Sequence, residues 1–562
     1  MPPVVPGPAG RAAATEPVAI ASAGPSSRRR WVAVGQEALG TAVALALSVI
    51  ALRHVLATER VALLWYDGDS VLLPLVERSI RLGQPFEWAM SPALFFFPEL
   101  PVYLLCSLVT ATPQQALALN GVLVLLTVYT LVRAAANELM PAAGRAARVA
   151  VSAIALGFVT AVVLTESSAT ATSLELGSLL LTTTYYYGAL LAMLGTAVLV
   201  LRTVRTGRAS ATVLVVAGLV AACTTASNPL YVPWSAGPVV VTLVLLALAR
   251  RVPWRPAAWV SGVLVAGAVV GYLLRIPLAR FVSLDPSTYV HPEHAGSTLA
   301  FFAALTDDRA GSAAGDAGLL LLFAGVALSA GGTVWAWRVR TSRTVLVATV
   351  LPLVTVVAVS VGVVVAGSET PRYLEPVVTA PLLALVAVGE LVRTAVRRTR
   401  VHRPRRGLRL ALSVAAAVVL VTGVVTAPGT VAAVVSARYG PAACLDRWAD
   451  GRQVTGVGQF WTVRPLAAYA SDDVELLQVR DTFETYPWLV DLGAYRDARP
   501  TFVVIGANDL WTTAVEDSLG APATITHCTG FDVYDYAGTS GAAVLRRDVV
   551  GSADAIRRDR GF

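Results

Sequence analysis

The sequence predicts a polytopic α-helical membrane protein that carries a smaller α/β domain at its C-terminal end. Hydrophobic residues make up 56% of the 562 residues and charged residues only 14%, with a mean hydropathy of +0.65. This composition lies outside the range of ordinary soluble domains. Long apolar runs recur along most of the chain, arginine clusters fall between alternate runs, and the last 135 or so residues lose the apolar density.

Eleven apolar runs are long enough to cross a hydrocarbon core, which takes roughly 20 helical residues. The first run follows Arg28, Arg29 and Arg30 and ends without a signal-peptide cleavage pattern, so we expect a retained anchor. The preceding residues 1–30 are predicted to be a disordered cytoplasmic tail. The runs lie near 31–56, 113–134, 148–165, 175–201, 210–227, 233–249, 257–274, 317–337, 344–366, 374–392 and 409–427.

Arginine positions predict the orientation of these runs. Clusters at 133–148, 202–208, 250–255, 338–343 and 393–409 occupy alternate connections, and positive clusters mark cytoplasmic connections. The N-terminus is therefore predicted inside and the C-terminus outside, with outer loops at 58–112 and 275–316 of a membrane domain spanning 31–427. The net charge of +8 is spread over these clusters rather than gathered into one stripe, so membrane lipid, and no nucleic acid, is the expected partner.

The remaining residues, 428–562, are predicted to form an extracytoplasmic α/β domain. The stretches VTGVGQF, VELLQV, TFVVIGA and FDVYDY have the pattern of short strands, and WTVRPLAAYA and LWTTAVEDSLG that of helices. This region holds Cys444 and Cys528, which we expect to form a disulfide in an oxidising compartment. The other two cysteines lie in apolar runs and are predicted to be buried.

Two carboxylates, Asp67 and Asp69, follow the first run in the stretch LLWYDGDSVLLPL. A carboxylate at a bilayer boundary costs free energy and commonly marks a functional position. The next residues, up to Leu82, are too short and too charged to span and suit an interfacial helix loosened by Pro74. Asp69 or Ser70 is a candidate N-cap of that helix, which leaves a cap or a chemical role open for Asp69.

This arrangement resembles the GT-C class of integral membrane glycosyltransferases, including bacterial membrane proteins similar to dolichyl-phosphate-mannose-protein mannosyltransferases. Asp67-Gly68-Asp69 is similar to the acidic motif of the first outer loop in that class, and GSETPRYLEP, residues 367–376, to its Arg-Tyr-x-x-Pro element. The resemblance covers roughly residues 30–430. It implies hexosyl or pentosyl transfer, outside the membrane, from a polyprenyl-phosphate donor to a glycan, lipid or protein acceptor of the cell envelope.

The candidate residues fit that chemistry. Asp67 is the predicted base for the acceptor hydroxyl, with Asp69 supporting it or binding a divalent cation such as Mg²⁺ or Mn²⁺. Arg372 is the predicted phosphate ligand, the alternative being a salt bridge to Glu369 or Glu375. The remaining predicted contacts are Tyr373 to the phosphate and Glu87 and Trp88 to the sugar. Glu166 and Glu175 are candidates for a further acid, or else end a helix, and Tyr185, Tyr186 and Tyr187 are predicted to pack within a span.

Two other function classes share some of these features. A transporter or lipid flippase also has many spans and an acidic residue at the membrane boundary, but the sequence shows no internal repeat and no pair of broken helices in matching positions. A sensor or assembly protein would use the outer domain to bind a ligand, yet eleven spans exceed what an anchor requires. The glycosyltransferase hypothesis accounts for more of the sequence.

Overall fold

The computed structural model describes residues 27–283, 289–398, 405–507, 509–510 and 514–562. Residues 1–26 of the predicted cytoplasmic tail lie outside this part. The membrane region contains the helices α1 Ser27–Ala57, α2 Leu72–Arg81, α3 Glu99–Ser107, α4 Pro113–Leu139, α5 Arg145–Val163, α6 Tyr187–Thr206, α7 Ala211–Ser227, α8 Gly237–Leu248, α9 Trp254–Leu278, α10 Ala295–Arg309, α11 Ala313–Arg338, α12 Arg343–Val365, α13 Pro376–Thr379, α14 Pro381–Arg398 and α15 Arg405–Ser436.

The predicted membrane spans are present as helices. Among the described residues, nine helices are long and apolar enough to cross a membrane, and two shorter apolar helices, Ala211–Ser227 and Val232–Leu248, correspond to two further predicted runs. The chain is therefore a multi-pass helical membrane protein, as its composition predicted. Helix α15 continues through Pro428 to Ser436, past the predicted domain boundary at 428, because an apolar segment follows the proline.

Serine and threonine side chains define where several of these helices begin. Thr112, Ser210, Ser312 and Ser342 precede α4, α7, α11 and α12, and each hydroxyl accepts a hydrogen bond from the backbone N–H three residues later. These bonds satisfy one of the N–H groups that the first turn of a helix leaves unpaired. Local sequence therefore fixes the starts of these spans.

Glycine allows α7 and α9 to pack backbone against backbone. A side-chain carbon at Gly267 would lie 2.6 Å from the carbonyl oxygen of Gly218, and one at Gly271 would lie 2.6 Å from that of Ala222. Small residues permit such close approach of helices in a membrane, where packing rather than water exclusion drives association. One residue of α9, Tyr272, lines the cavity described below.

Helix α2 and the turn before it differ from the sequence prediction in one respect. The predicted interfacial helix is present, with Pro74 in its first turn. Its N-cap is Val71, without a side-chain hydrogen bond, so the predicted cap at Asp69 or Ser70 is wrong. Ser70 instead donates its hydroxyl to the carbonyl of Leu63, which ties the turn back to the preceding segment.

The C-terminal region is an α/β domain built on a five-stranded sheet. Its elements are α16 Gly440–Ala449, α17 Phe460–Tyr469, α18 Ala514–Leu519, α19 Ser540–Arg560, β2 Val454–Gly458, β3 Val474–Gln478, β5 Pro500–Gly506, β6 Thr524–Cys528 and β7 Phe531–Asp535; β1 Trp88–Ala89 and β4 Val490–Asp491 form a separate two-stranded sheet. Strand order in the larger sheet is β3-β2-β5-β7-β6, with parallel pairing on the β3-β2-β5 side and antiparallel pairing of β7 with β5 and β6.

The sequence predicted four of the five strands of the larger sheet, and β6 was missed because its residues are mostly polar and partly exposed. Cys528 ends this strand and is bonded to Cys444 in α16, with Cα atoms 6.0 Å apart. The bond joins the edge of the sheet to the first helix of the domain. Of the other two cysteines, Cys106 is buried, whereas Cys223 is exposed, so the prediction that both are buried is wrong for Cys223.

The C-terminal domain is attached along α2 and β1 to the segment that joins α1 to α4. Arg78 of α2 donates to the backbone carbonyls of Ala467, Ala470, Ser471 and Val474. Strand β1 pairs antiparallel with β4, with Trp88 opposite Asp491. These contacts place segments of the domain beside the Asp67-Gly68-Asp69 turn.

Candidate active site

A cavity of about 410 Å³ opens where the membrane helices meet the C-terminal domain. The spans supply an apolar part of its lining, including Leu230 and Trp234 before α8 and Val359 and Val363 of α12. The loops supply its polar part, which includes Asp69 and Arg372. A cavity with this division of lining suits a ligand with an apolar body and a polar head.

Asp69 and Arg372 face each other in this cavity. The carboxylate oxygen Oδ2 of Asp69 lies 3.7 Å from Nη1 of Arg372, and the two side chains are 15% and 27% exposed. Among the described residues, neither Asp69 Oδ1 nor Arg372 Nε has a hydrogen-bond partner. The alternative partners predicted for Arg372, Glu369 and Glu375, form no ion pair with it in this part of the chain.

Asp67 lies behind this pair and organises the turn. Its Oδ1 accepts hydrogen bonds from the backbone N–H groups of Asp69 at 3.0 Å and Ser70 at 3.3 Å, and from the hydroxyl of Tyr185 at 3.2 Å. Burial, and next the charge of Asp69, raise the pKa of Asp67 to about 6. Asp67, the predicted base, is absent from the cavity lining, whereas Asp69 lines the cavity.

Aromatic rings pack around Arg372. The guanidinium carbon of Arg372 lies 5.5 Å from the ring centre of Tyr185, and Tyr373 packs 6.1 Å from Tyr186. Tyr186 stacks on Phe95 at 6.0 Å, and both residues have positive φ, 66° and 55°. Non-glycine residues in this conformation are strained and recur at ligand sites.

The prediction that the three tyrosines pack within a span is wrong for two of them. Helix α6 begins at Tyr187, and Tyr186 is its left-handed N-cap. The apolar run from 175 is therefore not one helix: residues 178–181 form a separate short turn. Period and hydropathy alone do not separate a buried irregular segment from a helix, which is why Tyr185 and Tyr186 were not placed at the site.

The predicted sugar contacts Glu87 and Trp88 lie elsewhere. Glu87 is buried and pairs with Arg557 of α19, Nε to Oε2, at 2.7 Å, and with Arg496. Trp88 is buried beside β4, and neither residue lines the cavity. Both belong to the contact between the outer loop and the C-terminal domain, which sequence spacing could not reveal.

Glu166 and Glu175 form a second buried group, away from the cavity. Glu166 accepts the backbone N–H groups of Gly177 and Ser178, each at 2.7 Å. Glu175 lies 3.6 Å from Nη1 of Arg60 and 3.5 Å from Nη1 of Arg309. Neither carboxylate lines the cavity, so the prediction of a further acid is not supported, and both residues hold the connection between α5 and α6 in place.

A divalent cation at Asp69 stays a prediction. Its ligands would come from Asp67 and Asp69, since within the described ranges no group of three or more His, Cys, Asp or Glu side chains comes together. Within the described residues, the Arg372 guanidinium lies 3.7 Å from the Asp69 carboxylate. Two carboxylates leave most of the six or more oxygen ligands of such a cation to substrate and water.

The C-terminal domain supplies two cavity residues that the sequence did not indicate, Trp488 and Leu489. The domain also lies directly on the acidic turn. A side-chain carbon at Gly68 would be 2.7 Å from the Phe460 ring and 3.1 Å from that of Trp461, so the turn needs glycine between its two aspartates. No local pattern near residue 488 connects it with residue 68.

No family model and no curated protein matches this sequence. The solved structure of ArnT from Cupriavidus metallidurans bound to undecaprenyl phosphate is similar to this chain, with a TM-score of 0.48 and 15% sequence identity. The likeness covers 90% of this chain and 99% of that one.

Proposed function

We propose that the protein is a membrane glycosyltransferase that moves a sugar from a polyprenyl-phosphate donor to an acceptor of the cell envelope. One observation carries this proposal: Asp69 and Arg372 stand 3.7 Å apart in a cavity whose apolar part includes Tyr272, Val359 and Val363 of the membrane helices. A carboxylate and a guanidinium at one membrane-embedded site can serve a hydroxyl and a phosphate together.

Arg372 is the phosphate ligand in this proposal. A guanidinium matches phosphate oxygens with paired hydrogen bonds and stays charged in a partly buried site. The rings of Tyr185 and Tyr186 pack beside the guanidinium and restrict its orientation. Tyr373 lies close enough to contact the same phosphate. The apolar lining, which extends to the half-exposed Tyr272 of α9, takes the first isoprene units.

Asp69 is the general base. It accepts the proton of the acceptor hydroxyl as that oxygen bonds to the anomeric carbon of the sugar, while the bond between this carbon and the phosphate oxygen breaks. The electron pair of the broken bond leaves on the phosphate, which Arg372 stabilises. Positioned base catalysis contributes roughly 10²- to 10⁴-fold in rate. Asp67 holds the turn that aims Asp69 and does not itself touch the substrate.

The arginine pattern supports an extracytoplasmic side for this chemistry. The cavity adjoins the C-terminal domain, so an acceptor arriving from outside the membrane would meet the donor there. Glycan, lipid and protein acceptors remain alternatives, as do hexosyl and pentosyl transfer.

Binding and transfer test the proposal separately. With the full chain in lipid nanodiscs, undecaprenyl phosphate should bind to wild type, and Arg372→Ala should weaken binding roughly tenfold or more by removing a charge-assisted contact. Arg205→Ala is the matched control, because Arg205 pairs with Glu138 in another part of the chain. Equal losses in both variants, or no binding to wild type, would contradict the donor site.

Asp69→Asn should not weaken that lipid binding, because it removes a negative charge 3.7 Å from Arg372. It should lower sugar transfer from undecaprenyl phosphate bearing mannose, glucose or arabinose to a cell-envelope extract by about 10²- to 10⁴-fold. Movement of the lipid across the bilayer without sugar transfer would instead identify a flippase.

A further inference from the structure

The segment from Tyr486 to Leu489 closes the cavity on the side of the C-terminal domain. Trp488 and Leu489 both line it. Leu489 has a φ of 53°, a left-handed conformation that a side chain of this size seldom adopts. Surrounding contacts must therefore hold this backbone in place.

Gln478, at the end of β3, holds the segment from one side. Its buried side-chain amide donates to the carbonyl of Tyr486 and to the carbonyl of Trp488, each at 2.6 Å. One amide group thus fixes the backbone on both sides of residue 487, which sets the direction of the Trp488 side chain.

Arg464 of α17 joins this segment to the acidic turn. Its Nε donates to the carbonyl of Gly68 at 2.6 Å, and its Nη1 donates to the carbonyl of Leu489 and, at 3.4 Å, to Oε1 of Gln478. The side chain is 2% exposed and its guanidinium lies 5.0 Å from the ring centre of Phe460, which also covers Gly68. The Arg464 guanidinium therefore joins the acidic turn to the segment that contains Trp488 and Leu489.

We propose that Trp488 is a substrate contact for the donor's sugar ring, and that Arg464 and Gln478 are positioning residues that fix its place relative to Asp69. This inference rests on the proposed function. With the phosphate at Arg372 and the lipid among the spans, the sugar occupies the part of the cavity bounded by Asp69 and the C-terminal domain. A half-buried indole there offers an apolar face to the C–H groups of a sugar ring and an N–H to its hydroxyls.

The fork shape of arginine is essential to this arrangement. Lysine would keep the charge near the two aspartates, but it cannot hold the Gly68 and Leu489 carbonyls in one plane. Arg464→Lys should therefore behave like Arg464→Ala in sugar recognition, whereas a purely electrostatic role predicts that lysine restores function.

The experiment compares two kinds of lipid on the full chain in nanodiscs. Trp488→Ala should bind undecaprenyl phosphate like wild type but bind the same lipid bearing mannose, glucose or arabinose roughly threefold to tenfold more weakly, whichever sugar wild type prefers. Trp488→Phe should recover most of the loss. Arg464→Ala and Arg464→Lys should show the same selective loss, and Arg464→Ala combined with Trp488→Ala should be no weaker than either single variant.

Arg452→Ala is the matched control, because this arginine also donates to backbone carbonyls in the C-terminal domain, those of Trp448 and Ala449, but does not line the cavity. If Arg464→Ala fails to fold, Gln478→Met tests the same contact at similar volume and should show the selective loss. Equal weakening of both lipids, additive losses in the double variant, or a wild type indifferent to the sugar would overturn the proposal while leaving an Arg372-dependent donor site intact. Lipid binding that ignores Arg372→Ala would remove both proposals together.

Discussion

At the residue scale, the neighbouring carboxylates Asp67 and Asp69 have different roles. Asp67 uses one oxygen to accept two backbone N–H groups and a tyrosine hydroxyl, which fixes the turn. Asp69 keeps its side chain on the cavity wall, opposite Arg372. The arrangement explains why two acidic residues follow one apolar run so closely: one shapes the turn and the other is presented by it.

The pKa of Asp67 makes stability depend on pH in a defined direction. Its folded value of about 6 lies above the ordinary 3.8, so the folded state binds this proton more tightly than the unfolded state does. The resulting stabilisation is present below the unfolded pKa and is lost as pH rises through the folded pKa. Asp67→Asn cannot ionise, so its free energy of unfolding should fall less than that of wild type between about pH 4 and about pH 8, by on the order of 2 kcal/mol.

Melting temperatures of the two proteins in detergent across this range provide the measurement. Asp497→Asn, at an exposed position of the C-terminal domain, should track wild type. Parallel curves for wild type and Asp67→Asn would show that Asp67 titrates as an ordinary surface carboxylate.

At the element scale, β1 and α19 hold the C-terminal domain against the first outer loop through Glu87. This carboxylate is 9% exposed and pairs with Arg557, itself 10% exposed, and with Arg496. Removal of one partner from a buried pair leaves an uncompensated charge and typically costs about 3–5 kcal/mol. Glu87→Gln should therefore loosen the domain, seen as faster hydrogen exchange in β4 and α19.

Asp548→Asn serves as the comparison for Glu87→Gln. Asp548 pairs with Arg547, whose side chain is 72% exposed, and exposed pairs contribute little to stability. Unchanged exchange in β4 after Glu87→Gln would mean that the β1–β4 pairing alone holds the domain.

The elements differ in how far the sequence predicts them. Apolar runs are local signals, so the spans and α2 were predicted, and the motifs at 67–69 and 372–376 led to Asp69 and Arg372. The place of Trp488 in the cavity and the bond from Arg464 to Gly68 depend on pairings across some 400 positions, and nothing local to either residue encodes them. Glu87 and Trp88 were misplaced for the same reason, since their partners lie in α19 and β4.

At the scale of the whole molecule, the arginine clusters predict that the N-terminus lies inside and the C-terminus outside the membrane. Alkaline phosphatase fused after Phe562 should be active, because it folds only outside the cytoplasm, and green fluorescent protein at the same point should be dark. A fusion within the arginine-rich connection at 338–343 should give the opposite pair of results. Fluorescence from the fusion after Phe562 would reverse the predicted orientation and place the cavity on the wrong side for an external acceptor.

The hydrogen bond from Arg464 to the Gly68 carbonyl joins residues 396 positions apart. The ribosome therefore synthesises the two residues at different times. A ribosome adding about 5–20 residues per second needs roughly 20 to 80 s to reach the arginine after it has made the acidic turn. Throughout that interval the turn can form its hydrogen bonds to Asp67 but lacks the one from Arg464. A nascent chain stalled before α17 should therefore expose the turn to carboxylate-modifying reagents, and the finished protein should protect it.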